Sequence, residues 1–203
     1  MPNSMLGAIV KKLVELPVGI LGLVYDLLVK LSDPEWVEAA KKFLRRENPW
    51  PVVKEFPLWR TLTIGGVSKD ELLRKLGDGF TVSDWAKDIM SQLGFTTLSE
   101  PTKIRLAKAR VKDLGFTKAP TTTQLLTRIQ EVGDLCPAEV GPHLRLQYQD
   151  QPNGDCFWVA MEPIADSDGD PGVFRLGRGG SGELWLRAFC AGPGIQWCLE
   201  DEV

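Results

Sequence analysis

Residues 5–31, MLGAIVKKLVELPVGILGLVYDLLVKL, are the most apolar part of the chain and limit its fold more than any other stretch. The longest run without charge inside it, Leu16 to Tyr25, is ten residues. About 20 are needed to cross a bilayer as a helix. Pro17 interrupts the helical pattern, and Lys11, Lys12, Glu15, Asp26 and Lys30 interrupt the apolar one, so the stretch predicts a hairpin of two short amphipathic helices. No small-residue cleavage site follows the apolar run before charge returns, which argues against a signal peptide. The functional expectation is a surface that binds a protein partner, a second copy of the chain or a membrane surface. Leu13, Leu16, Ile20, Leu21, Val24 and Leu28 are the binding candidates. Apolar stripes at helical spacing are more often core, and that reading stands beside the first.

Asp33-Pro34 predicts the capped start of a further helix through residue 47, with Trp36, Ala40, Phe43 and Leu44 as its apolar stripe. Pro49, Pro51 and Pro57 mark residues 48–58 as a linker. The expected organisation is therefore a helical region (1–47), a Pro-rich linker (48–58) and a body (59–203) with a basic α/β part (59–133) and an acidic β part (134–203).

In the body, a strand Trp59–Ile64 is expected to turn at Gly65-Gly66 into a helix opened by the capping box Ser68-Lys69-Asp70-Glu71. Ser83 opens another helix. Residues 102–111 read as strand or short helix, and a helix from near Thr121 is expected to end at a C′ glycine, Gly133. Beyond Pro142 the pattern predicts strands over His143–Gln149, Cys156–Pro163, Gly172–Gly177 and Glu183–Cys190, with a short run around Trp197. The fold class that follows is α+β: an N-terminal helical region, short α/β units, then a C-terminal antiparallel sheet of four or five strands.

The chain of 203 residues has a net charge of −3. By region the balance is +2 over residues 1–60, +3 over 61–133 and −8 over 134–203, where 4 basic residues stand against 12 acidic ones. Either a basic face serves phosphates, or oppositely charged parts attract each other across an interface. The four cysteines, Cys136, Cys156, Cys190 and Cys198, are read as reduced thiols of a cytoplasmic protein, at most peripherally bound to membrane.

Three groups of residues carry candidate chemistry. Cys136, Glu139, His143 and Arg145 bring a thiol, a carboxylate, the only imidazole and a guanidinium within ten residues, and suggest a small cysteine-dependent hydrolase or transferase as the alternative function. Lys103, Arg105, Lys108, Arg110 and Lys112 suggest nucleic-acid contact as a further alternative, although no known binding signature accompanies them. Asp166, Asp168 and Asp170 alternate like calcium ligands. An EF-hand loop starting at Asp166 needs Gly at position six and Glu at twelve, where the chain has Pro171 and Gly177, so an acidic turn is expected. Walker, dinucleotide, metalloprotease and serine-hydrolase motifs are missing, and no metal, cofactor or particular small molecule is expected.

The run LCPAEVGPHLRLQYQDQPNGDCFWVAMEPIADSDGDPGVFRLG (135–177), with LWRTLTIGG (58–66) and DLGFTKAPTT (113–122), resembles a family of uncharacterised small bacterial proteins sharing the pattern CPAEVGPxLRLQYxDQPxGD. The resemblance covers most of residues 36–197 and implies relatedness without implying an activity. Members continue past the tryptophan equivalent to Trp197 into another aromatic and basic strand, so the last strand is expected to be shorter here. The leading expectation is thus a non-catalytic interaction protein.

Overall fold

Pro17 cannot donate a backbone hydrogen bond, and it stands where one helix gives way to the next. The computed structural model, which describes residues 3–45 and 56–203, places α1 at Asn3–Val14, α2 at Val18–Lys30 and α3 at Pro34–Leu44. Asp33 caps α3 by accepting from the Glu35 N–H at 2.8 Å, with Pro34 in the first turn. The expected stripe of α3 is only partly covered: Trp36 and Ala40 are half-buried, whereas Phe43 and Leu44 are exposed. The chain divides into two compact units, 1–53 and 54–203. Residues 48–55 of the expected linker lie outside the described residues.

In the second unit, β1 (Leu58–Ile64) pairs antiparallel with β3 (Thr102–Ala107) as a two-stranded ribbon. Leu62, Ile64 and Leu106 are its buried residues. After β1 the chain turns through Gly65 and Gly66, both at positive φ (78° and 69°), where a Cβ on Gly65 would stand 2.3 Å from the Glu100 carbonyl oxygen. Three helices follow with capped starts. Ser68 accepts from Glu71 N–H ahead of α4 (Lys69–Gly77), and Ser83 accepts from Ala86 N–H ahead of α5 (Asp84–Ser91). Thr121 and Gln124 close a full capping box on α6 (Thr122–Gln130). The Ser68 box is only half made, because the Glu71 carboxylate turns to Arg74 at 2.8 Å. α6 stops at Gln130, and Gly133 does not take the left-handed cap expected of it.

The main sheet has the order β2-β7-β6-β4, with β5 also on β6: β2 is Thr81–Val82, β4 Cys156–Trp158, β5 Ile164–Ala165, β6 Pro171–Arg178 and β7 Leu184–Cys190. All its pairings are antiparallel except β2 with β7, a parallel edge strand brought in from the middle of the chain. The class is α+β, as the sequence implies.

Three local expectations are corrected. Residues 143–149 are not a strand: Val140–Gln147 form helix α7, with Pro142 in its first turn, where a missing N–H costs nothing. Every residue from Val140 to Arg145 is buried, so α7 shows no one-sided stripe, and the alternation of Leu144, Leu146 and Tyr148 imitates a strand. The expected strand 156–163 ends after Trp158, and β5 resumes the pairing with β6 further along. Around Trp197 there is no strand; single bridges join Gln196 to Thr121 and Glu202 to Arg110. The Asp166–Asp170 segment is a turn in which Asp166 Oδ1 accepts the N–H groups of Asp168 and Asp170.

Candidate functional site

Helix α2 is apolar around roughly two-thirds of its circumference at 100° per residue, interrupted only by the sector of Asp26 and Lys30. Among the six binding candidates, Ile20, Leu21 and Leu28 are exposed, and Leu13, Leu16 and Val24 are half-buried. Leu23, Tyr25, Leu27 and Val29 are exposed beside them, Leu23 at 68%. No helix among the described residues is long and apolar enough to cross a membrane.

The Cys136–Arg145 group is separated by the helix that carries most of it. Cys136 lines a largely apolar cavity of about 230 Å³ with Val140, Leu144, Phe157 and Val159, and burial pushes its thiol up to about 11, so it stays protonated at neutral pH. His143 lies on a different cleft, with Leu72, Lys75 and Asp78. No hydrogen bond joins the thiol to the imidazole among the described residues; Cys136 N–H donates to the Ala160 carbonyl instead.

Glu139 and His143 do meet, one helical turn apart. Glu139 Oε2 is 3.3 Å from His143 Nε2 and accepts the Gly65 N–H at 3.1 Å, while Oε1 accepts the Leu98 N–H at 2.9 Å. Burial draws the His143 pKa below its ordinary value; the Glu139 charge opposes this and the Lys75 charge adds to it. The pair ties α7 to the glycine turn after β1.

Arg145 is fully buried. Its guanidinium donates to Gln151 Oε1 at 2.7 Å, to the Gly177 carbonyl at 3.2 Å and to the Tyr148 carbonyl. Burial lowers its pKa to about 10, which leaves it charged at neutral pH. With both Nη groups donating to protein oxygens and Nε buried without an acceptor among the described residues, it holds α7 to β6 and does not present a cation to a substrate.

The basic run is largely neutralised from within. Lys108 pairs with Glu202 at 2.6 Å and Asp155 at 3.4 Å, Lys112 with Glu200 at 2.7 Å, and Arg110 with Glu200 at 3.4 Å. Lys103 and Arg105 sit at alternate, exposed positions of β3. Of the two explanations for the charge asymmetry, attraction between basic and acidic parts of one body is what these pairs embody. Among the described residues no group of three or more His, Cys, Asp or Glu is placed to hold a metal.

One constellation escaped the sequence reading. The strand register puts Trp158 opposite Arg175, and Arg175 opposite Arg187. Trp185 and Phe189 alternate with Arg187 on β7 and so share its face of the sheet. Arg175 Cζ lies 4.7 Å from the Trp158 ring centre and 5.6 Å from that of Phe189, and Arg187 Cζ lies 4.7 Å from the Trp185 ring centre. The signal was period-two alternation, Trp185-x-Arg187-x-Phe189 beside Val173-x-Arg175-x-Gly177. Compared with known proteins, the chain matches no family model, no curated protein and no solved structure.

Proposed function

We propose that the chain is a non-catalytic interaction protein that associates with a second copy of itself through α1 and α2. The observation that carries this reading is the apolar circumference of α2, with Ile20, Leu21, Leu23, Leu27 and Leu28 exposed to water. Contiguous exposed apolar surface of this kind marks an interface. Charge selects the occupant. Residues 3–45 hold six basic and five acidic side chains, a near balance with little net positive charge to draw the segment to anionic lipid, which suits a homotypic contact in which each sign meets its opposite. We place this activity in the cytoplasm, a reading that the four free cysteines support.

Sedimentation velocity of the full chain across a concentration series tests the proposal, with flotation on anionic and neutral vesicles beside it. Dimers or larger species that dissociate on dilution, and that become monomeric in Leu21→Asp/Leu28→Asp while β-sheet circular dichroism is unchanged, are the expected result. A monomer at every concentration overturns it, and flotation of that monomer on vesicles reassigns the helices to a membrane surface.

A further inference from the structure

From the Trp158–Arg175–Arg187 face of the main sheet, we infer a binding site for a phosphate-type oxyanion. Residues 134–203 hold only four cations among twelve acids, and two of the four stand directly opposite each other on β6 and β7. Like charges at opposed positions repel. Among the described residues no carboxylate forms an ion pair with either arginine, and Glu183, just ahead of β7, acts on Arg187 only through its charge at longer range, whereas Arg60, Lys108, Arg110, Lys112 and Arg128 all have acidic partners in the same unit.

The face also has more donors than acceptors. Among the described residues Arg175 Nη2 reaches only the Cys156 sulfur, at 3.0 Å, a weak acceptor. Arg175 Nε and Trp158 Nε1, held in the same ring-to-guanidinium contact, are buried with no acceptor among the described residues. Arg187 is exposed, so the pair opens to solvent from that side. The aromatic rings hold both guanidiniums in place, which lowers the entropy lost when they engage a ligand. A carboxylate is satisfied by a single guanidinium fork, whereas a tetrahedral oxyanion has acceptor oxygens enough for two. The aromatic residues on the same face give a planar group esterified to that phosphate a surface on which to stack.

Binding is measured on the full chain by ¹H–¹⁵N NMR of the Trp158 indole and Arg175 Nε–H signals, assigned with Trp158→Phe, during titration with inorganic phosphate and separately with phenyl phosphate at constant ionic strength. Saturable shifts of these signals are expected. Arg187→Gln, which alters an exposed side chain, weakens binding by about tenfold or more, and Arg105→Gln, an exposed cation on the other sheet, leaves it unchanged. Tighter binding of phenyl phosphate assigns the site to an aromatic phosphate ester; equal binding assigns it to the phosphate group alone. Absence of a saturable shift at about 10 mM ligand, or equal weakening by Arg187→Gln and Arg105→Gln, overturns the inference.

Discussion

Single residues in this protein do structural work where their chemistry first suggests catalysis. A thiol, an imidazole and a guanidinium close in sequence resemble a nucleophile with its helpers. Helix α7 carries the imidazole and the guanidinium to different partners, and Cys136, just ahead of it, enters an apolar cavity. Sequence spacing could show only that these groups are near; which side of a buried helix each one faces depends on packing. His143 nonetheless leaves a measurable trace. Its pKa is below 6.5 in the folded chain, because burial disfavours the imidazolium. The unfolded chain therefore binds the proton first as pH falls. Stability is full above the unfolded pKa and is lost as pH drops from there toward the folded pKa. The urea midpoint is expected to fall between pH 7.5 and pH 5.5, and His143→Gln to flatten that slope while lowering stability at pH 7.5. His143 is the chain's only histidine, so an unaltered slope in the variant removes this account.

At the level of elements, features written in local chemistry were legible and those set by tertiary contact were not. Ser68, Ser83 and Thr121 mark helix starts because each hydroxyl satisfies a backbone N–H that the first turn leaves free, a requirement met within four residues. The identity of α7 was hidden, since His143 and Arg145 are buried among its apolar residues and the helix lacks the apolar-in, polar-out pattern that gives a period away. Likewise β2 could not be read as part of the main sheet, because its two residues acquire strand character only by lying against Trp185 and Leu186. Among the strands, β6 and β7 meet at Gly177, where the Trp185 ring covers the backbone so closely that a Cβ would stand 2.0 Å from it. Gly177→Ala must displace that indole from the sheet face. The expected cost is about 2–3 kcal/mol in chemical denaturation, from overpacking at a close contact. Because Trp185 also supports Arg187, the variant is expected to lower the affinity of the arginine face for phosphate. An alanine variant with unchanged stability means that the indole moves aside freely.

Across the whole molecule, charge separated along the sequence is brought together in space. The basic middle of the chain and its acidic end are neighbours through residues 198–203, which lie along 109–112 by backbone bonds: Ala109 N–H to the Val203 carbonyl at 3.0 Å, Val203 N–H to the Ala109 carbonyl at 2.9 Å and Val111 N–H to the Asp201 carbonyl at 2.9 Å. Those bonds fix the register in which Glu202 reaches Lys108 and Glu200 reaches Lys112. Net charge per region was therefore a correct sign of attraction, while the pairing itself needed the register. The two ends of this ion-pair row differ in environment. Lys108 and Glu202 have side chains 19% and 29% exposed, whereas Glu200 is 67% exposed. Partial desolvation strengthens the inner pair, and salt screens the outer one. Glu202→Gln is expected to cost about 1–2 kcal/mol, and Glu200→Gln less than about 0.5 kcal/mol. Raising NaCl from 0.1 M to 1 M, which shortens the screening length from about 10 Å to about 3 Å, should erase the Glu200 effect and only reduce that of Glu202. Equal costs for the two variants at low salt would mean that the row acts as one diffuse surface field, and that backbone bonding alone holds the C-terminal segment to the basic strip.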